Sequence, residues 1–222
     1  MSARRAQGAS EARVPLTRDR VLRVAISVAD ECGVGAVTMR AVASRLGVEA
    51  MSLYNHVKNK DAILDGMVDL VVEEIDLPTD VDGWREAMRL RAVLAHQAFT
   101  RHPWAPALID SRRSSGPARL RYLDWVLGTL VEAGFALEVA VRCFSVLDSY
   151  IYGFGRQDLG ATGSAPPPER MAQAMLSVVP AGDYPYLHRM VLLAMDTGYD
   201  AEADFAFGLK VILDGLERML QE

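Results

Sequence analysis

Between Thr38 and Lys60 the sequence collects hydrogen-bonding side chains at spacings that suit recognition of a surface rather than the making of bonds. Ser52, Asn55 and His56 fall on one outward face of a short helical stretch, with Ala50, Met51 and Tyr54 beside them. Ser, Asn and His can bond base edges or phosphates, Ala and Met can touch thymine methyls, and a tyrosine hydroxyl can reach a phosphate. Arg40, following Thr38 and Met39, suits a guanine or a phosphate. Lys60 stands where a helix is expected to begin, and free backbone N–H groups there already favour an anion. The candidate DNA contacts are therefore Thr38, Met39, Arg40, Ala50, Met51, Ser52, Tyr54, Asn55, His56 and Lys60. Each also has a plain structural role open to it: Thr38 as a cap first, Tyr54 as a half-buried packing ring, His56 and Asn55 as solvated side chains.

Other chemistry finds little support. His56, His96, His102 and His188 are scattered, and His96 and His102, six apart, do not share a helical face. CxxC, HExxH, the phosphate-binding GxxxxGK[ST] and Gly-x-Ser-x-Gly are all missing. Ser145 and Asp148 have no histidine near them in sequence. No catalytic residue, metal site or cofactor is expected, and a small helical enzyme is the least favoured reading.

The elements that must position the Thr38–Lys60 group read as helices. Thr17 is a candidate N-cap for a helix reaching about Cys32, with Val21, Leu22, Ala25, Ile26 and Ala29 on one face; Gly33 and Gly35 end it. Thr38 caps a second short helix with Ala41, Val42 and Leu46. Gly47 makes the turn, and a third helix carries Leu53 and Val57. Asn59 caps a fourth with Ile63, Leu64, Met67, Leu70 and Val71. Helices this short are marginal in water and must be held by packing. Helix, glycine turn, helix is the helix-turn-helix arrangement, and it frees the opposite face of residues 50–56 for a major groove. After a break at Leu77-Pro78-Thr79-Asp80-Val81-Asp82-Gly83, amphipathic stretches are expected near 84–100, 104–111, 115–133, 137–158, 169–178, 184–196 and 201–221, with a loop at 160–168. No two-residue alternation is sustained, so the fold class is all-α: an N-terminal three-helix helix-turn-helix head and a larger C-terminal helical bundle.

Charge divides the same way. Residues 1–60 hold ten Lys/Arg and five Asp/Glu, a net of +5; the remaining residues hold fourteen and twenty-four, a net of −10. A basic quarter on an acidic body points to an anionic partner for the first part. Arg4, Arg5 and Arg13 lie in a tail, residues 1–16, expected to be mobile. No apolar run reaches the ~18 residues a membrane span needs, and the N-terminus has no apolar region of a secretory signal. Cys32 and Cys143 are expected as small apolar groups in a reducing compartment, so the protein is read as cytoplasmic.

"TMRAVASRLGVEAMSLYNHVKNKDAIL" resembles the DNA-binding module of the tetracycline-repressor (TetR) family of bacterial transcriptional regulators, over roughly residues 17–76. Leu46-Gly47-Val48, Leu53-Tyr54, His56-Val57 and Lys58-Asn59-Lys60 fall in register without a gap. The stretch "AGFALEVAVRCFSVLDSYIYGFG", residues 133–155, resembles the regulatory domain of such repressors more loosely. The resemblance implies a homodimer binding a near-palindromic double-stranded DNA operator and released by a small-molecule effector. A DNA-binding domain at 17–62 would precede an effector-binding and dimerisation domain at 63–222. It places the family's phosphate-contacting tyrosine on Tyr54, its fourth-helix lysine on Lys60 and its second-helix arginine on Arg40. Ala50-Met51 stand where the tetracycline repressor has Gln-Pro, and Asn55 where it has Trp, so the operator should differ. No counterpart of its magnesium–tetracycline histidine stands near Asp110-Ser111-Arg112, which argues against tetracycline as ligand.

Pockets between bundled helices are mostly apolar with a few polar groups. Candidates to line one are Trp104, Leu108, Trp125, Phe144, Asp148, Tyr152 and His188, although aromatics at helical spacing also serve as plain core. Asp148, a carboxylate within an apolar helix, could orient a ligand, cap a network or pair across a dimer. For dimerisation, "FAFGLKVILDGLERML" sets Phe205, Leu209, Ile212, Leu213, Leu216 and Leu220 on one stripe, with Gly208 and Gly215 permitting close approach; burial inside one chain is the other reading. A regulator without a small-molecule effector, or an activator, remains open at this point.

Overall fold

A computed structural model of the chain describes residues 15–112, 116–158, 168–198 and 200–221. The expected tail before residue 15, including Arg4, Arg5 and Arg13, lies outside the described residues, as do residues 160–167 of the loop expected over 160–168, whose last residue, Pro168, instead begins a helix. The described residues form eleven α-helices, one 3-10 turn and no strand. They divide into two compact units, Met1–Met67 and Val68–Glu222, here the head and the body.

In the head, local hydrogen bonds set each boundary. Helix α1 (Arg18–Cys32) starts at Thr17, whose hydroxyl accepts from the backbone N–H of Arg20 at 3.2 Å, and stops at Gly33 with φ +80°. A 3-10 turn over Val34–Ala36, not expected from the sequence, leads to Thr38. Its hydroxyl accepts from Ala41 N–H at 3.0 Å and opens α2 (Met39–Leu46). Gly47 adopts the left-handed conformation, φ +67°, and its N–H bonds the last carbonyls of α2. Helix α3 (Ala50–Leu53) is a single turn. The Asn59 side chain accepts from Ala62 N–H at 2.9 Å at the start of α4 (Lys60–Glu73). Such caps contribute ~1 kcal/mol each, too little to hold an eight-residue and a four-residue helix. The rest comes from a shared core of Val21, Leu22, Ala25, Ile26, Val42, Leu53, Val57, Ile63 and Met67, all buried. Cys32 corrects an expectation: it is exposed, at the last position of α1, whereas Cys143 is buried.

The body contains α5 (Trp84–Arg101), α6 (Ala105–Ser111), α7 (Pro117–Glu132), α8 (Leu137–Asp158), α9 (Pro168–Val178), α10 (Pro185–Thr197) and α11 (Ala201–Gln221). Helix α5 packs on α7, α8 and α11, α8 also meets α6, α7 and α11, and α10 packs on α9. Helix α7 begins at Gly116-Pro117 with no capping side chain of its own. Asp69 supplies one from α4, accepting from Arg119 N–H at 3.1 Å.

Of the α11 stripe expected to meet a second copy, four residues are buried within the chain and two, Ile212 and Leu220, are half-buried. Phe205, Leu209, Leu213 and Leu216 are all in the core, since α5 and α8 lie against that face. Gly208 allows close approach, but of Tyr150 from α8, whose hydroxyl donates to the Phe205 carbonyl at 2.8 Å. What α11 leaves outside is a second stripe at i, i+4 and i+12: Phe207, Val211 and Met219, exposed by 72, 55 and 53%. Gly215 completes its spacing, with nothing within 4 Å of an added Cβ.

Gly66 of α4 gives a direct test of head packing. A Cβ there would lie 2.6 and 2.7 Å from the two terminal carbons of Leu22, a side chain buried in the head's core. Alanine gains up to ~1 kcal/mol of helix propensity over glycine, while overpacking costs ~1–3 kcal/mol. We expect Gly66→Ala to lower the thermal unfolding midpoint of the protein, measured by circular dichroism, with the packing cost prevailing.

Candidate nucleic-acid interface and effector cavity

The residue alternation of the reading segment is resolved by burial. Leu53 and Val57 point into the head's core, and Met51, Tyr54 and Asn55 point out. Met51 is 74% exposed and Tyr54 49%, both high for large apolar side chains. Ala50, Ser52 and His56 are half-buried; Arg40 and Lys60 are exposed; Met39 is half-buried at the start of α2. Thr38 is exposed with its hydroxyl engaged as the α2 cap. All ten sequence candidates thus lie in one unit, on α2, on α3 with its following turn, and at the start of α4, and α2 packs on α3. The surface offers hydroxyl, amide and imidazole groups, an exposed methionine, and two cations: the set required to bond phosphates and base edges.

A charged clamp fixes α2 against α1. Arg45 meets Glu31 through two parallel bonds, 2.9 and 2.6 Å, and Ser27 donates to the same carboxylate at 2.9 Å. Bidentate arginine–carboxylate pairs add geometry as well as attraction. The Arg45 bonds, seconded by Ser27, hold the Glu31 carboxyl down to about 2.

The body holds a separate cavity of about 360 Å³. Its apolar walls are Val72, Ile75, Phe99, Ile109, Leu123 and Phe144; its polar groups are Asp110, Arg119, Tyr122, Ser145, Asp148, Ser149 and Tyr152. Of the seven residues chosen from sequence, the fold brings three together here, Phe144, Asp148 and Tyr152. It does not bring the other four. Trp104 is buried at the start of α6 with its ring 5.9 Å from that of His102, and Leu108 is half-buried on α6. Trp125 faces a different cleft, shared with Trp84, Thr129 and Glu132. His188 lies on α10, its Nδ1 donating to the Val179 carbonyl at 2.8 Å.

Behind the cavity wall stands Arg91, with no exposed surface. Its Nε donates to the Tyr122 hydroxyl at 2.7 Å, and one terminal nitrogen pairs with Asp148 Oδ1. Tyr152 donates to Asp148 Oδ2 at 2.9 Å, and burial pushes the Tyr152 phenol well above its ordinary range, keeping it a neutral donor. Sequence reasoning did not single out Arg91, Tyr122 or Arg119. The signal for Arg91 was present: it occurs in register with Met88, Ala92 and Ala95, the buried stripe of α5. Among the described residues no group of three or more His, Cys, Asp or Glu is placed to hold a metal, and no helix is long and apolar enough to cross a membrane.

A three-helix head with an outward polar face and an all-helical body with an internal cavity define a helix-turn-helix transcriptional regulator. Residues 21–67 match the family model for bacterial regulatory proteins of the tetR family, and residues 77–220 match that for the tetracyclin repressor-like C-terminal domain. The chain belongs to the TetR family and is a DNA-binding regulator of transcription, not an enzyme. It is 33% identical over 217 residues to the HTH-type transcriptional repressor DrrR1 of Streptomyces coeruleorubidus, covering 93% of this chain and 79% of that one. To the class A tetracycline repressor from transposon 1721 of Escherichia coli it is 30% identical, with 91% of each covered. The fold is similar to that of Streptomyces coelicolor ActR solved with actinorhodin, with a TM-score of 0.78 at 26% identity and coverage of 94 and 100%.

The clamp yields a pH prediction. The carboxyl titrates lower in the folded head than its ordinary 4.5, so the stability it adds is full above that pH and is lost as pH falls towards 2. The melting-temperature gap between wild type and Glu31→Gln should be constant above about pH 4.5 and close on acidification.

Proposed function

We propose that this protein is a repressor that binds a near-palindromic operator as a homodimer and is released by a small, mostly apolar effector in the body cavity lined from α4, α5, α6, α7 and α8. The DNA-binding domain is residues 17–62, and residues 63–222 bind effector and dimerise, in the cytoplasm. Two heads would occupy major grooves about one turn apart, ~34 Å. The single observation that carries the DNA part is the exposure of Met51, Tyr54 and Asn55 opposite a buried Leu53 and Val57. Tyr54 and Lys60 take phosphates, Thr38 and Arg40 take phosphate or guanine, and Met39, Ala50, Met51, Ser52, Asn55 and His56 form the base-reading surface.

The cavity supports effector control over a ligand-free regulator. Its size falls within the usual ~300–1,000 Å³ of small-molecule pockets, and the similar ActR was solved in complex with actinorhodin. An effector need only prefer the non-binding state by a few kcal/mol to release the operator. For the dimer, the outer stripe of Phe207, Val211, Gly215 and Met219 on α11 supplies an apolar face with room for a second copy's helix.

A mobility-shift titration on DNA flanking the protein's own gene tests the head. Wild type should bind with an affinity that falls steeply with salt. Tyr54→Ala should lose about tenfold or more, the worth of a bond to a charged phosphate, and Lys60→Ala should lower the salt slope by about one. Binding indifferent to salt and to both substitutions would refute the assignment. For the dimer, Phe207→Glu with Val211→Glu should convert the species seen by light scattering from dimer to monomer and abolish tight operator binding.

A further inference from the structure

We propose that a cleft on the surface of the body is a second binding site, separate from the effector cavity, and that it takes a small organic ammonium cation. The cleft has a volume of about 380 Å³ and shares no lining residue with that cavity. Its walls are the first turn of α5, the C-terminal half of α7 and the connection between α4 and α5, which contributes Pro78 and Val81. Two of the chain's three tryptophans line it, Trp84 from α5 and Trp125 from α7. Both are half-buried, so each retains accessible surface. Phe135 packs at right angles on Trp84 with ring centres 5.1 Å apart, which fixes that indole where it borders the cleft.

Charge decides what two indoles would hold. The cleft is lined by one charged residue, Glu132, and by no lysine, arginine or histidine. Glu132 is exposed and makes no ion pair among the described residues. Arg85, beside Trp84, is committed to Asp214 and Glu217 of α11 and so does not neutralise the site. Thr129 spends its hydroxyl proton on the Trp125 carbonyl at 2.8 Å, which leaves its oxygen as an acceptor only. Helix α7 finishes at Glu132, so the cleft also receives the negative end of that helix. The positive end of α5 borders it too, and Asp82 before that end and Glu86 within its first turn offset it. A cation against an aromatic ring is drawn by the ring's quadrupole, most strongly for tryptophan, and a carboxylate beside the rings supplies the counter-charge. An anion would meet Glu132 with no cation to hold it, and a neutral guest would gain nothing from the carboxylate.

The test uses the full-length protein with choline and acetylcholine, each set against its uncharged carbon analogue, in which a tert-butyl group replaces trimethylammonium. Titrations are read by tryptophan fluorescence at an ionic strength held constant with sodium chloride. Two of the three tryptophans line the cleft, so occupancy there dominates the signal. Each cation should bind about tenfold more tightly than its neutral analogue, the range of a desolvated cation–π contact. Glu132→Gln alters an exposed side chain with no pair to break, so the fold is retained, and the preference for the cation should fall several-fold. Glu132→Gln combined with Trp125→Leu should bring each pair to parity while circular dichroism shows the helices retained. Equal binding of both members to wild type, failure of every probe to bind, or a cation preference that survives in the double variant overturns the assignment. None of these outcomes bears on the effector cavity, whose lining residues are untouched.

Discussion

A positive charge with no access to water sits at the junction of three body helices, and much of the body is arranged around it. Arg91 on α5 reaches Tyr122 on α7 and Asp148 on α8, and Tyr152, one turn beyond Asp148, completes the carboxylate's bonds. Burying ions costs several kcal/mol each before their attraction is counted, and breaking such a pair from one side costs ~3–5 kcal/mol. The chain therefore has one acceptable arrangement of α5, α7 and α8 at this level, the one in which the fork meets both partners. Aromatic faces on Tyr122 and Phe144 cover the guanidinium where hydrogen bonds do not. The cavity next to it is a consequence: two phenols, a carboxylate and an arginine fork hold their helices at fixed spacing and cannot fill the space as leucines would.

The head solves a different problem with weaker forces. Its second and third helices have eight and four residues, far below the length at which helices hold themselves. Side-chain caps at Thr38 and Asn59 and a left-handed Gly47 set where these helices start and turn. A common core and the Arg45–Glu31 clamp decide how they lie. With the inward face committed to packing, the outward face is left without structural duty, and this is why Met51, Tyr54 and Asn55 can be exposed. A protein surface spends a half-exposed tyrosine and a largely exposed methionine most reasonably where a partner will cover them.

Amphipathic helices in the body carry more than one apolar stripe, and the partition between them separates folding from assembly. On α11 the Phe205–Leu209–Leu213–Leu216 stripe meets α5 and α8, while Phe207, Val211 and Met219 lie outside. Gly208 and Gly215, seven residues apart on nearly one face, meet different surroundings: Tyr150 of the same chain packs on the first, and nothing lies within 4 Å of a Cβ on the second.

Local chemistry made much of this molecule legible in its sequence. The four caps at Thr17, Thr38, Gly47 and Asn59, the spans of the longer helices and the outward Tyr54 depend on neighbours within four residues, and a one-dimensional pattern records such neighbours faithfully; the third helix, expected to carry both Leu53 and Val57, instead ends at Leu53. Tertiary structure alone decided which of two apolar stripes on α11 faces inward, why Trp125 and Trp104 lie away from the cavity that receives Phe144, and that Asp69 caps a helix beginning 48 residues later in the chain. It also decided that Arg91 and Asp148, 57 residues apart, form one buried network. A sequence shows that a charge falls on a buried stripe, but the partner that makes its burial tolerable is chosen by packing between helices, and that choice has no signature within the reach of a single turn.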